Sequence, residues 1–507
     1  MRFLKRFSLL TIFVVLIPVA AQAQDVPDER FSLLTLEGRE GKTGVQFFKG
    51  TVNLTKPSLL FAYKNRDFSD VTKICTSLQE AGCKDSPFLA FDAHLAPCSN
   101  EVVTDCIESV FGRNLGNGQK VLGEFQYSIP KSHPNDFPAS VDFGLPKGST
   151  SGIWKIPGAV HKGGTDEYAV VAFQSGVLVK EMGVLKRSKV AEGSFGQPEI
   201  QVAIFPIIRI NGKNYYKTKV EIKTEEMNKG TISHSFMGDS VADGCALVDD
   251  GICASRTGFP SETEFGLRIR LSHSLNGWVH GRIDKPQVEY NKSQGSTVMA
   301  ISGVPMNVPV VSGWVDPTLF TAQDKEIVGS TSIRAGSWSP ARLTGENAMQ
   351  SLNIWNRLLG DKAAAYPAEW SFYSLTSSEL QGSNSCIAQS KNLAGFVSTN
   401  STTYTGGPPK FSSITQSLDY KIASPHFLKD GSVFEGRYNL SINSKVARCI
   451  YRFSKAPISA SVSVVGGSGE SRVATTAVSE RKGWINLSVN GFTFSSPTVK
   501  VKLKQKK

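Results

Sequence analysis

The chain has 507 residues and a formal net charge of +12. A chain of this length normally folds as about two to four domains, and its positive excess favours anionic partners such as acidic polysaccharides, wall polymers or lipid headgroups. The lysines are scattered along predicted strands, and neither a basic helix nor an aromatic RNA-binding motif is present, which argues against a nucleic-acid partner. Scattered lysine that serves only solubility is the alternative explanation.

Residues 1–23 have the organisation of a signal peptide. Arg2, Lys5 and Arg6 form a basic start, residues 7–20 form an apolar core that is short for a membrane span, and Ala21 to Ala23 offer a small-residue cleavage site. Cleavage would remove three of the 56 basic residues and none of the 44 acidic ones, so the mature chain stays basic. No later apolar run reaches membrane length. We therefore expect a protein that is secreted or associated with the cell surface, without a membrane span in its mature part.

The eight cysteines all follow the signal peptide, and an even number in an exported chain favours disulfides over metal ligation or catalysis. Six of them form three loops of identical spacing. The repeated spacing predicts three local bridges, and the two remaining cysteines predict a long one: Cys75–Cys83, Cys98–Cys106, Cys245–Cys253 and Cys386–Cys449.

Hydrophobic patterning predicts a mainly β protein with antiparallel, sandwich-like domains. We expect an N-terminal cysteine-rich β domain over residues 24–145 and a central β domain over 146–335, because a stretch rich in Pro, Gly and Ser separates their strands. Within the central domain, alternating apolar residues from Ile200 to Ile210 lead to Asn211-Gly212 and predict a hairpin over residues 199–223.

The clearest period-two pattern follows the third cysteine loop. Phe265, Leu267, Ile269 and Leu271 alternate with polar or cationic residues, and a second two-faced run begins after Asn276-Gly277. If both runs place their apolar residues in one core, the opposite face collects a cationic and aromatic set, which we predict as the ligand-binding surface: Arg268, Arg270, Trp278, His280 and Arg282.

Such a surface could hold an acidic glycan. An exposed indole stacks on sugar rings, and guanidinium groups bind carboxylate or phosphate with two hydrogen bonds. The alternative is that Trp278 faces a second sheet and belongs to the core, which the usual burial of Trp favours.

One segment has a strong helical pattern. Ala348, Leu352 and Trp355 recur at three- and four-residue steps before Gly360, which predicts an amphipathic helix near residues 344–359 within a helical connector over 336–370. Residues 371–507 are predicted to form a C-terminal β-sandwich domain. There Cys449 continues a strand pattern, and Lys500, Lys502 and Lys504 on one face of the last strand suggest a protected edge strand.

Catalytic and metal-binding patterns are weak. Asp92 and His94 would share a strand face, but no nucleophile accompanies them, and no Gly-x-Ser-x-Gly or His-Glu-x-x-His motif occurs. The acidic residues around Asp249 lack the spacing of a calcium loop, and a solvated turn explains them better. We predict no catalytic residues, no metal site and no cofactor, although a carboxylate pair from distant strands would escape detection.

Three short strings carry a resemblance: residues 277–282, Gly483-Trp484, and Gly491 to Phe494. They are similar to strings in large exported proteins of actinobacteria that carry no assigned activity. The resemblance transfers no catalytic residue and implies a bacterial envelope setting. The sequence thus predicts an exported, non-enzymatic binding or structural protein for anionic glycans or wall polymers, and the alternative is a secreted hydrolase that acts on glycans.

Overall fold

The computed structural model describes residues 39–47, 57–65, 71–129, 134–181, 184–188, 198–211, 245–249, 252–293, 295–341, 343–454, 458–465, 471–473, 475–494 and 497–505. Strands make up 52% and helices 12% of it, which confirms the predicted mainly β class. The predicted signal peptide lies outside these residues, as does the returning strand of the hairpin expected after Asn211.

The described strands are numbered in chain order. Those of the first half are β1 Thr43–Phe47, β2 Leu59–Tyr63, β3 Val71–Cys75, β4 Phe88–His94, β5 Cys106–Asn114, β6 Lys120–Leu122, β7 Glu124–Ile129, β8 Ser151–Lys155, β9 Glu167–Glu181, β10 Val184–Arg187, β11 Ile200–Asn211, β12 Cys245–Asp249, β13 Ile252–Arg256 and β14 Thr263–Leu271. Those of the second half are β15 Gly277–Ser293, β16 Ser296–Asn307, β17 Val311–Val315, β18 Trp338–Pro340, β19 Ala368–Ser374, β20 Leu393–Thr399, β21 Thr403–Tyr404, β22 Lys410–Ser412, β23 Ser417–Ala423, β24 Glu435–Asn443, β25 Ile458–Val465, β26 Ser471–Val473, β27 Thr475–Arg481, β28 Trp484–Thr493 and β29 Thr498–Gln505.

Helices are few and most are short in the part of the chain that the structure describes. The α-helices there are α1 Ala322–Val328, α2 Glu346–Leu359, α3 Ser377–Leu380, α4 Ser385–Ala388 and α5 Ser444–Tyr451, and the 3-10 turns are Val141–Phe143, Pro317–Leu319 and Ser330–Ser332. The predicted amphipathic helix near 344–359 is confirmed as α2. No described helix has both the length and the apolar character that crossing a membrane would require.

Four sheets account for most of the strand pairing. The first sheet runs β3-β2-β4-β9-β11-β19-β15-β20-β24-β28-β27, and the second runs β6-β5-β14-β16-β15. The third is β17-β1-β18, and the fourth is β21-β23-β29-β25-β26. Most pairs are antiparallel, and β15–β20 and β1–β18 are parallel.

Strand β15 belongs to two sheets and therefore organises the fold. Its first part, up to Arg282, pairs with β19 and β20 of the first sheet, and its second part pairs with β16 of the second. The ladder with β16 shifts between Asp284 and Gln287, where Lys285 has a φ of 49° and Pro286 has no N–H to donate. The strand leaves one sheet and enters the other between Arg282 and Ile283, directly before this bulge.

The apolar residues form two main cores on opposite faces of the first sheet. One core fills the space against the second sheet and contains Phe265, Leu267 and Val279. The other lies against the fourth sheet and contains Trp278, Tyr420 and Val501. The first sheet is therefore covered on both faces, like the middle layer of a sandwich.

Helix α2 packs beside the third sheet, in a smaller core. Its Leu352 and Trp355 are buried with Val45 and Val311 of that sheet. The stripe of Trp and Leu side chains on α2 therefore belongs to the core, as its helical periodicity indicates.

Three of the predicted disulfides are confirmed: Cys75–Cys83, Cys98–Cys106 and Cys386–Cys449. The last joins α4 to α5. The side chains of the predicted Cys245–Cys253 bridge lie outside the described residues, although the backbone forms the β12–β13 hairpin between them.

Strand pairing crosses the positions at which the sequence suggested domain boundaries. Strand β4 of the predicted N-terminal unit pairs with β9 of the central unit. Strand β19 spans the boundary predicted at residue 370, and it pairs with β11 and β15. Backbone hydrogen bonds therefore join the three predicted units within the first sheet.

Candidate functional site

The five residues predicted as one binding face do not share a surface. Arg268 and Arg270 lie on the outer face of the second sheet, where Glu108 accepts a hydrogen bond from each at 2.9 and 3.1 Å. Trp278, His280 and Arg282 are only 0%, 1% and 3% exposed. The prediction of a common exposed face is therefore wrong.

The sheet exchange of β15 is the physical reason for that error. Strand β14 lies in the second sheet, whereas residues 277–282 lie in the first. The polar face of that segment turns towards the fourth sheet, whose side chains cover it. An alternating pattern identifies two faces of a strand, but it cannot tell whether a further layer covers the polar one.

His280 is buried in an aromatic cage. Its Nε2–H donates to the Gly407 carbonyl at 3.0 Å, and its Nδ1 faces the Tyr373 hydroxyl at 3.4 Å. The Tyr404 and Tyr420 rings lie 5.2 and 5.9 Å from the imidazole. Burial, with a smaller contribution from the Arg282 charge, lowers the pKa of His280 to about 3. The imidazole is consequently neutral at physiological pH and serves as a hydrogen-bonding core residue.

Arg282 satisfies a buried stretch of polar backbone. Its guanidinium donates to the carbonyls of Thr399 and Ser401 at 2.6 Å each, and to that of Thr402 at 3.4 Å. It also lies 4.6 Å from the centre of the Tyr404 ring. Buried carbonyls need donors, and Arg282 supplies them at the end of β20 and in the residues that follow it. Its function is structural.

A basic groove of about 280 Å³ lies on the outer face of the second sheet. Its floor is strand β16, where the small side chains of Ala300 and Ser302 leave space between β14 and β15. We call this cavity the basic groove. Five cationic side chains line it, namely Arg113, Lys120, Arg268, Arg481 and Lys482.

One wall of the basic groove is built on Phe111. A Cβ atom at Gly266 would lie 2.2 Å from the Phe111 ring, so glycine at this position is what lets the ring lie against β14. The Lys120 ammonium group covers the ring, 3.9 Å from its centre. Phe111 itself is only 8% exposed, so this wall offers a cation to a ligand rather than an aromatic face.

The opposite wall is the turn of the β27–β28 hairpin. Lys482 and Gly483 have φ values of 52° and 79°, which close this tight turn between Arg481 and Trp484. Lys482 donates to Glu289 of β15 and so fixes the turn against the second sheet.

Two carboxylates also line the basic groove, and both are paired with cations. Glu264 lies 3.4 Å from Arg113. The hydrogen bond from Lys482, together with the charges of Lys482, Arg268 and Lys120, lowers the pKa of Glu289. Lys120 and Arg481 have no ion-pair partner among the described residues. The groove therefore keeps a net positive charge with two cations available to an anionic ligand.

A second charged cluster lies at the ends of β10, β11 and β14. Glu199 accepts from Arg187 at 3.2 Å and pairs with His273, whose other ring nitrogen lies 3.9 Å from Asp105. Burial would raise the pKa of Glu199, but His273 and Arg187 hold it below its ordinary value. The cluster ties three strands together and does not line the basic groove.

The catalytic and metal patterns considered from the sequence receive no support from the geometry. The Asp92 carboxylate accepts from Ser175 at 2.5 Å, and His94 faces Ser151 at 3.3 Å. Within the described ranges, no group of three or more His, Cys, Asp or Glu side chains is arranged to hold a metal ion. The acidic residues around Asp249 lie outside the part whose side chains are described.

Sequence reasoning found Arg268 and missed the rest of the basic groove. Lys120 belongs to a three-residue strand, and Arg481 and Lys482 belong to a hairpin more than 200 residues from β14. No local pattern brings these segments together. Comparison of the sequence with protein-family models and with curated proteins finds no match.

Proposed function

We propose that this protein is an exported, non-enzymatic binding protein of the cell envelope or the extracellular medium, which holds an anionic glycan or wall polymer in the basic groove. The observation that carries the proposal is the excess of five cationic over two anionic side chains around one cavity. Guanidinium and ammonium groups bind carboxylate and phosphate through charge-assisted hydrogen bonds. The signal-like residues 1–23, the three disulfides and the resemblance to actinobacterial exported proteins support the envelope setting.

The test is binding of polygalacturonate by the chain without residues 1–23, measured by isothermal titration calorimetry. We expect binding that weakens as salt rises, because screening weakens contacts between exposed charges. Replacing Lys120 and Arg481 together by Glu should lower the affinity at least about tenfold, since each lost contact costs on the order of 1–2 kcal/mol.

Lys325 and Lys410 supply the matched control. Both are exposed cations outside the lining of the basic groove, Lys325 on α1 beside the third sheet and Lys410 on β22. Replacing both by Glu should leave the affinity within about twofold, since it changes the net charge by the same amount without touching the groove. Equal losses in the groove and control variants would overturn the proposal, because they would indicate attraction by net charge alone.

A secreted glycan hydrolase is the second candidate, because two carboxylates lie in the basic groove. A glycoside hydrolase needs one carboxylic acid that stays protonated near neutral pH, hence a raised pKa. Glu289 has the opposite shift, and Glu264 is paired with Arg113. A reducing-end assay on polygalacturonate decides between the two: turnover that Glu289→Gln abolishes would replace the binding proposal by the hydrolase.

A further inference from the structure

The two cations without ion-pair partners among the described residues lie on opposite walls of the basic groove. In the β5–β6 ladder, the backbone of Lys120 lies opposite that of Arg113. The Lys120 ammonium group is held over the Phe111 ring. That ring lies on Gly266 of β14. The Lys120 charge is therefore located above β5 and β14.

Arg481 is held at the other side by its neighbour. Lys482 is paired with Glu289, so the hairpin turn that carries Arg481 stays against β15. Between β5 and β15 stand β14 and β16. Neighbouring strands lie about 4.8 Å apart, so the two walls are separated by about 10–14 Å.

The floor between the walls is formed mainly by small or polar side chains. Ala300 and Ser302 point outward from β16, and Gln287 of β15 lies beside them. Arg268 and Glu289 flank Ala300. The row through Gly266, Ser302 and Gln287, by contrast, has no large apolar or charged side chain, so a chain of sugar or polyol units could lie across the floor along that row. A single carboxylate or phosphate group is only a few ångströms wide and could contact one wall at a time.

We infer that the basic groove binds an oligomer that carries at least two anionic groups, one held by Lys120 and one by Arg481, with the ligand lying across the strands of the second sheet. This inference rests on the proposed function and names its ligand class: a polyanion recognised through the spacing of its charges. Because Lys120 covers Phe111, the chemistry of recognition is ionic rather than sugar stacking. Uronate glycans and phosphodiester wall polymers both carry such repeated charges.

The inference predicts that affinity depends on ligand length. Two contacts on one ligand act together, because the second forms within an existing complex and escapes the cost of a new association. A monomer makes one contact and gains nothing from the second wall. Affinity should therefore rise steeply until the ligand spans the groove and then level off.

The experiment titrates the mature chain with galacturonate oligomers of one to six units and, in a second arm, with glycerol phosphate oligomers of one to six units. Maltohexaose serves as the neutral control. We expect the longer members of at least one series to bind at least about tenfold tighter than its monomer. The arm with the larger gain identifies the source of the anionic groups.

Three variants locate the two contacts. Lys120→Met and Arg481→Met each keep an unbranched side chain while removing the charge. Lys120→Met therefore largely preserves the packing on Phe111. Each of these two variants should abolish most of the gain with length, whereas Lys325→Met, outside the groove, should retain it. Thermal unfolding of each variant confirms that it is folded.

The outcomes separate the two proposals. If monomer and hexamer bind equally tightly to the basic groove, or if the gain survives in both Met variants, the two-contact inference is wrong while binding in the groove stands. If neither series binds at any length, both the inference and the proposed function are overturned.

Discussion

His280 lies in surroundings that differ from those predicted for it. The sequence places it on a polar strand face, and the structure buries it among Tyr373, Tyr404 and Tyr420. Both statements hold together, because the polar face of β15 is covered by a further layer that supplies hydroxyl and carbonyl partners. A buried polar group is tolerated when such partners are present.

The lowered pKa of His280 predicts a specific dependence of stability on pH. The unfolded chain binds a proton at His280 below about pH 6.5, whereas the folded chain does so only near pH 3. Stability should therefore fall as pH decreases between these values, by about 1.4 kcal/mol per pH unit from this residue. Urea unfolding of the wild type and of His280→Gln at several pH values measures the difference. Equal slopes for the two proteins would contradict the prediction.

Arg282 and Arg270 offer a direct comparison of two arginines that the sequence placed on one face. Arg282→Met should lower the free energy of unfolding by about 2–4 kcal/mol, because buried carbonyls that it satisfies would lose their donor. Arg270→Met should cost less than about 1 kcal/mol, because the pair with Glu108 is partly exposed and screened. Urea unfolding at neutral pH measures both losses of unfolding free energy. Equal losses for Arg270→Met and Arg282→Met would contradict the prediction that burial determines the size of the loss.

At the level of single elements, the sequence predicted those whose pattern is local. Helix α2 has Leu352 and Trp355 on one face, and Gly360 ends it with a φ of 81°. Strand β14 alternates cleanly because one of its faces is core. Both could be predicted because the residues that determine them are neighbours in sequence.

Two elements of the C-terminal part were predicted incorrectly. Residues 444–451 form helix α5 rather than a continued strand, since the Asn443 side chain caps Lys445 and begins a helix there. Strand β29 is not an edge strand, because β23 and β25 pair with it on either side. Alternation with lysine shows that one face is exposed and carries no information about neighbouring strands.

Gly266 determines the shape of one wall of the basic groove. Gly266→Ala should cost about 1–3 kcal/mol, because the Phe111 ring would have to move away from β14. It should also weaken oligomer binding, since Lys120 is positioned on that ring. Urea unfolding and calorimetric titration measure the two effects.

Gly406→Ala is the matched control, because the nearest atoms to an added Cβ there lie at ordinary contact distance, 3.5 Å and beyond. It should leave both quantities nearly unchanged. Full binding by a folded Gly266→Ala variant would show that the position of Phe111 does not matter for the groove.

For the whole molecule, the sequence could predict the class of fold and the disulfides, but not how the layers are stacked. Repeated spacing identified the two described local bridges, and elimination identified the long one. The layered arrangement depends on β15 changing sheets after Arg282, and that choice involves strands distant in sequence. The basic groove was missed for the same reason.

The long disulfide should contribute more to stability than a short one. In the chain-entropy account, a bridge stabilises by restricting the unfolded chain, and the restriction grows with the length of the closed loop. Cys386 and Cys449 are 63 residues apart, against 8 for Cys75 and Cys83. Replacing both cysteines of the long bridge by Ser should lower the free energy of unfolding by about 4 kcal/mol, against about 2.5 kcal/mol for the short one.

Urea unfolding of the two double variants measures this difference. The long bridge joins α4 to α5 beside the core under the fourth sheet, where Ile387 and Ile450 are buried. The short bridge is itself fully buried, in a core with Leu60 and Phe91, so packing in the folded state acts against the expected order. A larger loss from Cys75→Ser with Cys83→Ser would mean that folded-state packing around the N-terminal loop, rather than the length of the closed chain, determines what these disulfides contribute.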